Sequence, residues 1–419
     1  MRILHVIQRY WPSVGGSETY FQEISERFAR NGAEVTVVTT DAGDPEYFWL
    51  SSRARLAQGE EIHNGVRVQR FAIRHLPYSH VVYPHTRQLV AWLSRLPMNT
   101  SRLLALLSFT TPYVPSLHRR LDSTAEKYHL VHAANVLFEP LVAAAQRYAR
   151  THSLPFLLTP FVHLGEPENP AVRINYTNRH QIEMIRASDK IITQTDIESR
   201  FLAGLGVPLK KMAKVGVGVN PEAIFGGNGV RFRHKHDVSE PLVFFIGAQS
   251  FDKGVRDLVE AMKLLWSGGC QARLALAGTR TKHFAAYFDV QPEWVRGRCL
   301  QLGLVSDEEK RDLLAAGDVF AMPSRTDSFG IVYLEAWLYK KPVIGALAGG
   351  VPEVIGDGTD GLLVDFGDVK RLASCISSLL ENSQHARDLG EAGYQKVLRE
   401  HTWDKKFAMI DDIYRELCR

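Results

Sequence analysis

Cysteine is scarce, with four residues in 419, Cys270, Cys299, Cys375 and Cys418, and no two of them in a C-x-x-C spacing. Neither a zinc site nor a disulfide framework can be read from them, and a reducing, cytoplasmic compartment fits best. Long apolar runs are also missing. No stretch approaches the ~18 uninterrupted apolar residues that a spanning helix needs. The opening "MRILHVIQRYWP" has too short an apolar run for a signal peptide and reads as a buried first strand. Net charge is only +4, and no run of Arg or Lys is interleaved with stacking aromatics. Nucleic acid is therefore not an expected partner, whereas a slight basic excess suits a phosphorylated substrate or an anionic membrane surface. There is no G-x-G-x-x-G, which argues against a nicotinamide dinucleotide site.

What is present is ordinary globular composition, 45% apolar and 23% charged, in a chain too long for one core, so two domains are expected. The first forty residues read as strand, loop, helix and strand: "RILHVI", "QRYWPSVGG", "SETYFQEISERFARNG" and "AEVTVVTT". Ser17 is placed as the N-cap, Phe21, Ile24 and Phe28 recur at helical spacing, and Gly32 is the stop. "YHLVHAANV", "LPFLLTPFVH", "DKIITQT", "PLVFFIGA", "ARLALAG", "DVFAMPS" and "KPVIGA" supply further strands alternating with helices. That alternation predicts two α/β domains, each a parallel sheet covered on both faces, facing a central cleft. The Gly- and charge-rich stretch 215–241 reads as a linker between them. Residues 87–120 are apolar with Arg95 and Arg102 spaced through them. Their functional reading is a peripheral surface for lipid or a lipid-linked acceptor; the plainer one is a pair of helices packed on the N-terminal domain.

Within "PSRTDSFGIVYLEAWLYKK", residues 323–341, a helix starting near Ser328 puts Glu335 on an apolar stripe, between Ile331 and Leu338. An ionised carboxylate there needs a partner or a cavity. Ligands of open parallel sheets bind beyond the carboxyl ends of the strands, and four features fall at such positions. Gly15 and Gly16 follow the first strand, His163 closes "LLTPFVH", Lys253 and Gly254 follow "FFIGA", and Asp327 to Gly330 follow "VFAMPS". Each has a plain alternative: a tight turn, a structural histidine, a surface lysine, a helix cap. Their joint placement favours a phosphate-bearing ligand clamped between the domains.

These residues resemble the retaining glycosyltransferases of family four, with the two-domain GT-B fold. The resemblance covers nearly the whole chain, through "PSVGGSE", "TPFVH", "VGVGVN", "GAQSFDKG", "GLVSDEEKRDLLAAGDVFAMPSRTDSFGIVYLEAW", "KPVIGALAGGVPEVI" and "DGLLVDFGD". It implies an N-terminal acceptor-side domain, 1–207, completed by 396–419 crossing back as the final helix, and a nucleotide-sugar domain, 208–395. It implies transfer of a sugar from a nucleotide diphosphate sugar to a saccharide, lipid-linked or small-molecule acceptor, with retention and without metal or other cofactor. The family's E-x7-E motif falls on Asp327 and Glu335, with Asp in the first place. By resemblance Asp327 meets the donor sugar and Glu335 the ribose. Lys253 meets the diphosphate, Gly15 and Gly16 lie near donor and acceptor, and His163 is beside the reacting sugar. The amides of Phe329, Gly330 and Ile331 face sugar and phosphate. One departure is Ala248, where the family commonly has arginine; Arg280 or Arg325 is expected to supply the missing charge. No D-x-D stands in a cleft loop. The rival readings are a GT-B phosphorylase or epimerase, and a sugar-nucleotide binding protein without catalysis.

Overall fold

The alternating short apolar runs and amphipathic helices build two sheets, in a computed structural model that describes residues 1–109, 112–124 and 126–419. Among the described residues the first sheet has eight strands: β1 (Arg2–Val6), β2 (Glu34–Thr40), β3 (Gly59–His63), β4 (Val66–Phe71), β5 (Leu130–Ala134), β6 (Phe156–Thr159), β7 (Lys190–Thr193) and β8 (Met212–Lys214). Their order is β3-β4-β2-β1-β5-β6-β7-β8, parallel except for the β3–β4 hairpin. The second has six: β9 (Leu242–Ile246), β10 (Arg273–Ala277), β11 (Cys299–Gly303), β12 (Val319–Ala321), β13 (Val343–Ala346) and β14 (Leu362–Val364). Their order is β11-β10-β9-β12-β13-β14, all parallel. Central strands such as β5 (LVHAA) and β9 (LVFFI) are buried throughout, as expected where helices cover both faces.

Each sheet has one place where the winding direction reverses: between β1 and β5 in the first, between β9 and β12 in the second. Loops diverge there, leaving a crevice beyond the strand ends. The residues singled out after "FFIGA" and "VFAMPS" sit on the two loops at the second reversal, and Gly15 and Gly16 on one loop of the first.

Contacts divide the chain into a first unit of 1–162, 171–216 and 407–419 and a second of 163–170 and 217–406. The sequence reading drew the line at 207/208 and gave the closing helix 396–419. The difference at the junction has a simple cause: β8 pairs with β7, so residues to 216 stay with the first sheet. The last helix, Trp403–Leu417, contributes only its part from Phe407 to the first unit. Stretch 215–241 is not a free linker. It contains helices Pro221–Ile224 and Gly229–Lys235, with Phe232 buried and Arg231 paired to Asp312.

The first helix, Gly16–Arg30, buries Phe21, Ile24 and Phe28, and Gly32 takes the left-handed conformation that ends it. Its N-cap is Gly15 rather than Ser17, whose hydroxyl instead donates to Glu18. Inside the first sheet runs a closed polar chain. His5 bonds Ser25 (2.7 Å) and the Tyr414 hydroxyl (2.9 Å), and His132 bonds the same hydroxyl (2.6 Å) and Thr159 (2.7 Å). These partners satisfy two fully buried imidazoles and fasten the last helix to β1 and β5. Cys270, Cys299, Cys375 and Cys418 are all free, and no described helix is long and apolar enough to cross a membrane.

Candidate functional site

Three loops and one distant segment converge at the winding reversal of the second sheet. After β9 the chain passes through Ala248 to a short turn, Phe251–Lys253, then Gly254, which starts helix Val255–Ser267 in the left-handed conformation. Gly254 is required there: a Cβ would lie 2.2 Å from the Pro323 carbonyl oxygen. After β12 come residues 322–330 and the helix Ile331–Leu338. This helix begins one turn later than the sequence spacing suggested, because Gly330, at φ 93°, breaks the backbone just before it. The third loop, 347–350, is stitched to the second by the Gly350 amide, which donates to the Asp327 carbonyl at 2.9 Å.

Lys253 Nζ donates to Asp327 Oδ1 at 2.8 Å. Burial alone would raise the Asp327 carboxyl pKa, but the Lys253 ammonium outweighs it and holds the group below the usual carboxylate range. Asp327 Oδ2 is buried without a hydrogen-bond partner. His163 belongs to this unit and donates from Nδ1 to the Thr326 carbonyl. Burial and the nearby Lys253 lower its pKa, so the ring is neutral at physiological pH.

Glu335 lies one turn along the helix, 7% exposed. Its Oε1 accepts from Lys310 Nζ at 2.6 Å, on the helix Asp307–Ala316, while Oε2 is buried with no partner. The acid on the apolar stripe therefore has half the partners a carboxylate needs, and the other oxygen remains to be satisfied. Ahead of it, the amides of Phe329, Gly330 and Ile331 donate to no described residue and stand at the positive end of the helix.

Sequence reasoning missed how this edge is held together. Arg325 lies 5.1 Å from the Phe251 ring centre and 5.0 Å from that of Phe366. It donates from Nε to Asp252 at 2.8 Å and from Nη1 to Glu166 at 3.2 Å. One guanidinium thus ties together the loops after β9, β12 and β14 and segment 163–170. Its charge is already matched by two carboxylates, and that of Arg280 by Asp289. Lys310 was equally unread; nothing in its sequence neighbourhood points 25 residues ahead.

Lys253, Asp327, His163, Phe329, Gly330, Ile331 and Glu335 thus gather in the second unit. Gly15 and Gly16 belong to the first. Gly15 is extended, and a Cβ on it would lie 2.3 Å from Glu18 Oε2, a carboxylate paired with Arg9 at 2.9 Å. Gly16 faces open space. Among the described residues no cluster of three or more His, Cys, Asp or Glu is placed to hold a metal ion.

The family model "Glycosyl transferase 4-like domain" matches residues 15–218, and "Glycosyl transferases group 1" matches 229–396. The D-inositol 3-phosphate glycosyltransferase of Xylanimonas cellulosilytica is 27% identical over 97% of this chain and 92% of its own length. The alpha-maltose-1-phosphate synthase of Mycolicibacterium smegmatis is 31% identical over 43% of this chain, and the match spans about half of that protein, 49%. Among solved structures, Anabaena HepE in complex with UDP and glucose superposes with a TM-score of 0.73 at 18% identity, over 99% of this chain and 100% of that one. The sucrose-phosphate synthase of Thermosynechococcus elongatus gives 0.71 at 19% identity, over 100% and 99% of the two chains. At those identities the structures attest the fold alone.

Proposed function

The chain belongs to the glycosyl transferases of group 1 and family four, with two α/β units of the GT-B fold, and from that premise we propose a specific division of labour. The second unit binds a nucleotide diphosphate sugar and transfers its sugar, with retention and without an essential metal, to a saccharide, lipid-linked or small-molecule acceptor. The observation that carries this reading is Glu335. It is a buried carboxylate with one oxygen on Lys310 and the other unpartnered, eight residues after the Asp327 that pairs with Lys253. A vicinal diol such as a ribose offers the two donors that this oxygen lacks. Relatives point the same way, since HepE was solved with UDP and with UDP-glucose.

In this scheme Lys253 and the amides of Phe329, Gly330 and Ile331 counter the charge that grows on the departing diphosphate, the main catalytic contribution. Asp327 orients the Lys253 ammonium and offers Oδ2 to a hydroxyl of the donor sugar. His163, held neutral, stands beside the reacting sugar. The leaving phosphate oxygen accepts the acceptor's proton, so no separate base is needed. Arg325 acts as a positioning residue rather than a replacement for the arginine absent at Ala248, because its charge is matched by two carboxylates and its plane is clamped by two rings.

Thermal unfolding of wild type and Glu335→Ala with UDP, GDP and ADP tests the scheme. One nucleotide at a hundred times its dissociation constant stabilises wild type by about 2.7 kcal/mol. Glu335→Ala loses most of that shift. If no nucleotide shifts wild type, or the variant responds as wild type does, the assignment fails. The anomeric configuration of the product, read by NMR, checks retention.

A further inference from the structure

Between Ile62 and Leu121 the sequence holds eight arginines and no Asp, Glu or Lys, in a chain that carries 46 acidic residues elsewhere. Two helices in this stretch, Ser79–Leu93 and Ser101–Ser108, pack together in the first unit. Their inner faces are firmly seated. Val90 and Leu104 are fully buried, and Arg87 reaches inward to both oxygens of Glu139 at 2.7 and 2.8 Å. The turn between the helices is braced by Arg179, which donates to the carbonyls of Leu96 (2.9 Å) and Met98.

The outer faces carry exposed apolar side chains, among which His80, His85 and Gln88 are the exposed polar groups of the first helix. Val81, Leu89 and Trp92 recur at helical spacing on the first helix, and Leu103 and Leu106 on the second, with Met98 between them. Trp92 is 58% exposed, Met98 62% and Leu106 70%, so these side chains are not covered by the fold. Beside them Arg95 and Arg102 are exposed, with no carboxylate partner among the described residues. Residues 110 and 111 of the stretch lie outside the described residues.

We infer that this two-helix face lies on an anionic phospholipid surface, with Trp92, Met98 and Leu106 entering the headgroup region and Arg95 and Arg102 engaging lipid phosphates. The charge pattern selects this occupant. A second copy related by a two-fold axis would set the same unpaired arginines against each other, whereas phosphates complement them, and guanidinium forms bidentate pairs with phosphate. A tryptophan among aliphatic residues beside cations is also the composition of an interfacial helix face. The contact is peripheral, since neither helix is long enough to span. It narrows the surface expected from the sequence, because helix Pro115–Ser123 buries Leu117, His118 and Leu121 and Arg120 is paired with Glu126. The inference goes beyond glycosyl transfer and does not rest on it.

Co-sedimentation of the full chain with vesicles of phosphatidylcholine, alone or mixed with phosphatidylglycerol, tests it. Wild type sediments with the mixed vesicles, not with phosphatidylcholine alone, and is released at about 1 M salt, where charges are screened beyond ~3 Å. Trp92→Ser/Leu106→Ser and, separately, Arg95→Gln/Arg102→Gln each lower the bound fraction about tenfold with unchanged thermal midpoints, since all four side chains are exposed. Failure of wild type to bind mixed vesicles, or wild-type binding by both variants, overturns the inference. So does a dimer in light scattering that Trp92→Ser/Leu106→Ser dissociates without any vesicle binding.

Discussion

In the second unit charged groups crowd the loops after β9 and β12 and the segment 163–170, whereas in the first the best-buried polar groups lie inside the sheet itself, on β1 and β5. Lys253, Asp327, Arg325, Asp252 and Glu166 are partly accessible and interlocked by ion pairs. His5, His132 and Tyr414 are inaccessible and neutral, and together with Ser25 and Thr159 they satisfy one another's ring nitrogens. The contrast separates two uses of polar groups within one architecture. Groups at a strand end that retain unsatisfied atoms are available to a ligand; groups whose atoms are all matched serve the fold.

The sharpest way to break this contrast is Lys253→Ala. If the edge of the second unit carries the chemistry, kcat/KM for sugar transfer falls about a hundredfold or more, the size seen when one charge-stabilising donor is removed. The thermal midpoint without nucleotide moves far less, since the lysine is a quarter exposed and Asp327 can take up a proton once the ammonium is gone. A loss of stability with unchanged turnover would reverse the two roles.

His163→Ala sharpens the contrast within the site, with a smaller effect. Steady-state kinetics should show kcat reduced roughly tenfold or more, the lower range of what a positioned polar group contributes, with the nucleotide-induced thermal shift intact. Unchanged kcat would leave His163 as a brace for the Thr326 carbonyl and nothing more.

The last effect belongs to the buried imidazoles of the first unit and appears only in acid. Burial lowers the His5 pKa to about 3 and that of His132 well below 6.5. His118, also in this unit, is lowered to about 4. The unfolded chain takes up these protons from about pH 6.5 downward and the folded chain does not. The stability is therefore complete above pH 6.5 and declines as pH falls, by about 1.4 kcal/mol per pH unit for each histidine. Urea midpoints between pH 7 and pH 5 should show this slope, and His132→Gln should flatten it. A profile level from pH 7 to 5 would remove the imidazoles from the account.

Much of the second unit's edge could be read from the chain because its logic is local. An acid alone in an apolar helix, a glycine beside a lysine after a strand and an acid eight residues earlier all fall within short windows. What could not be read is non-local: the partners of Glu335 and Arg325 lie 25 and 159 residues away. The late start of the Ile331–Leu338 helix turns on the backbone of Gly330, whose positive φ no spacing reports. One miss was avoidable. Asn64 and Gly65, with φ of 47° and 81°, form the tight turn joining β3 to β4, and Asn-Gly between such segments is a strong local hairpin signal. The first unit's outer helices were harder to read, because an apolar run does not show which of its faces is covered.

The hydroxyl shared by His5 and His132 has a further consequence in time rather than space. Tyr414 stands 409 residues after His5. During synthesis the strands of the first unit leave the ribosome first, yet two of them keep unmatched imidazoles until residue 414 has emerged. The second unit, whose last residue is Lys406, has all its parts before then. The first unit is thus begun before the second and completed after it, and a ribosome halted before residue 414 would leave it without the residue that closes its core.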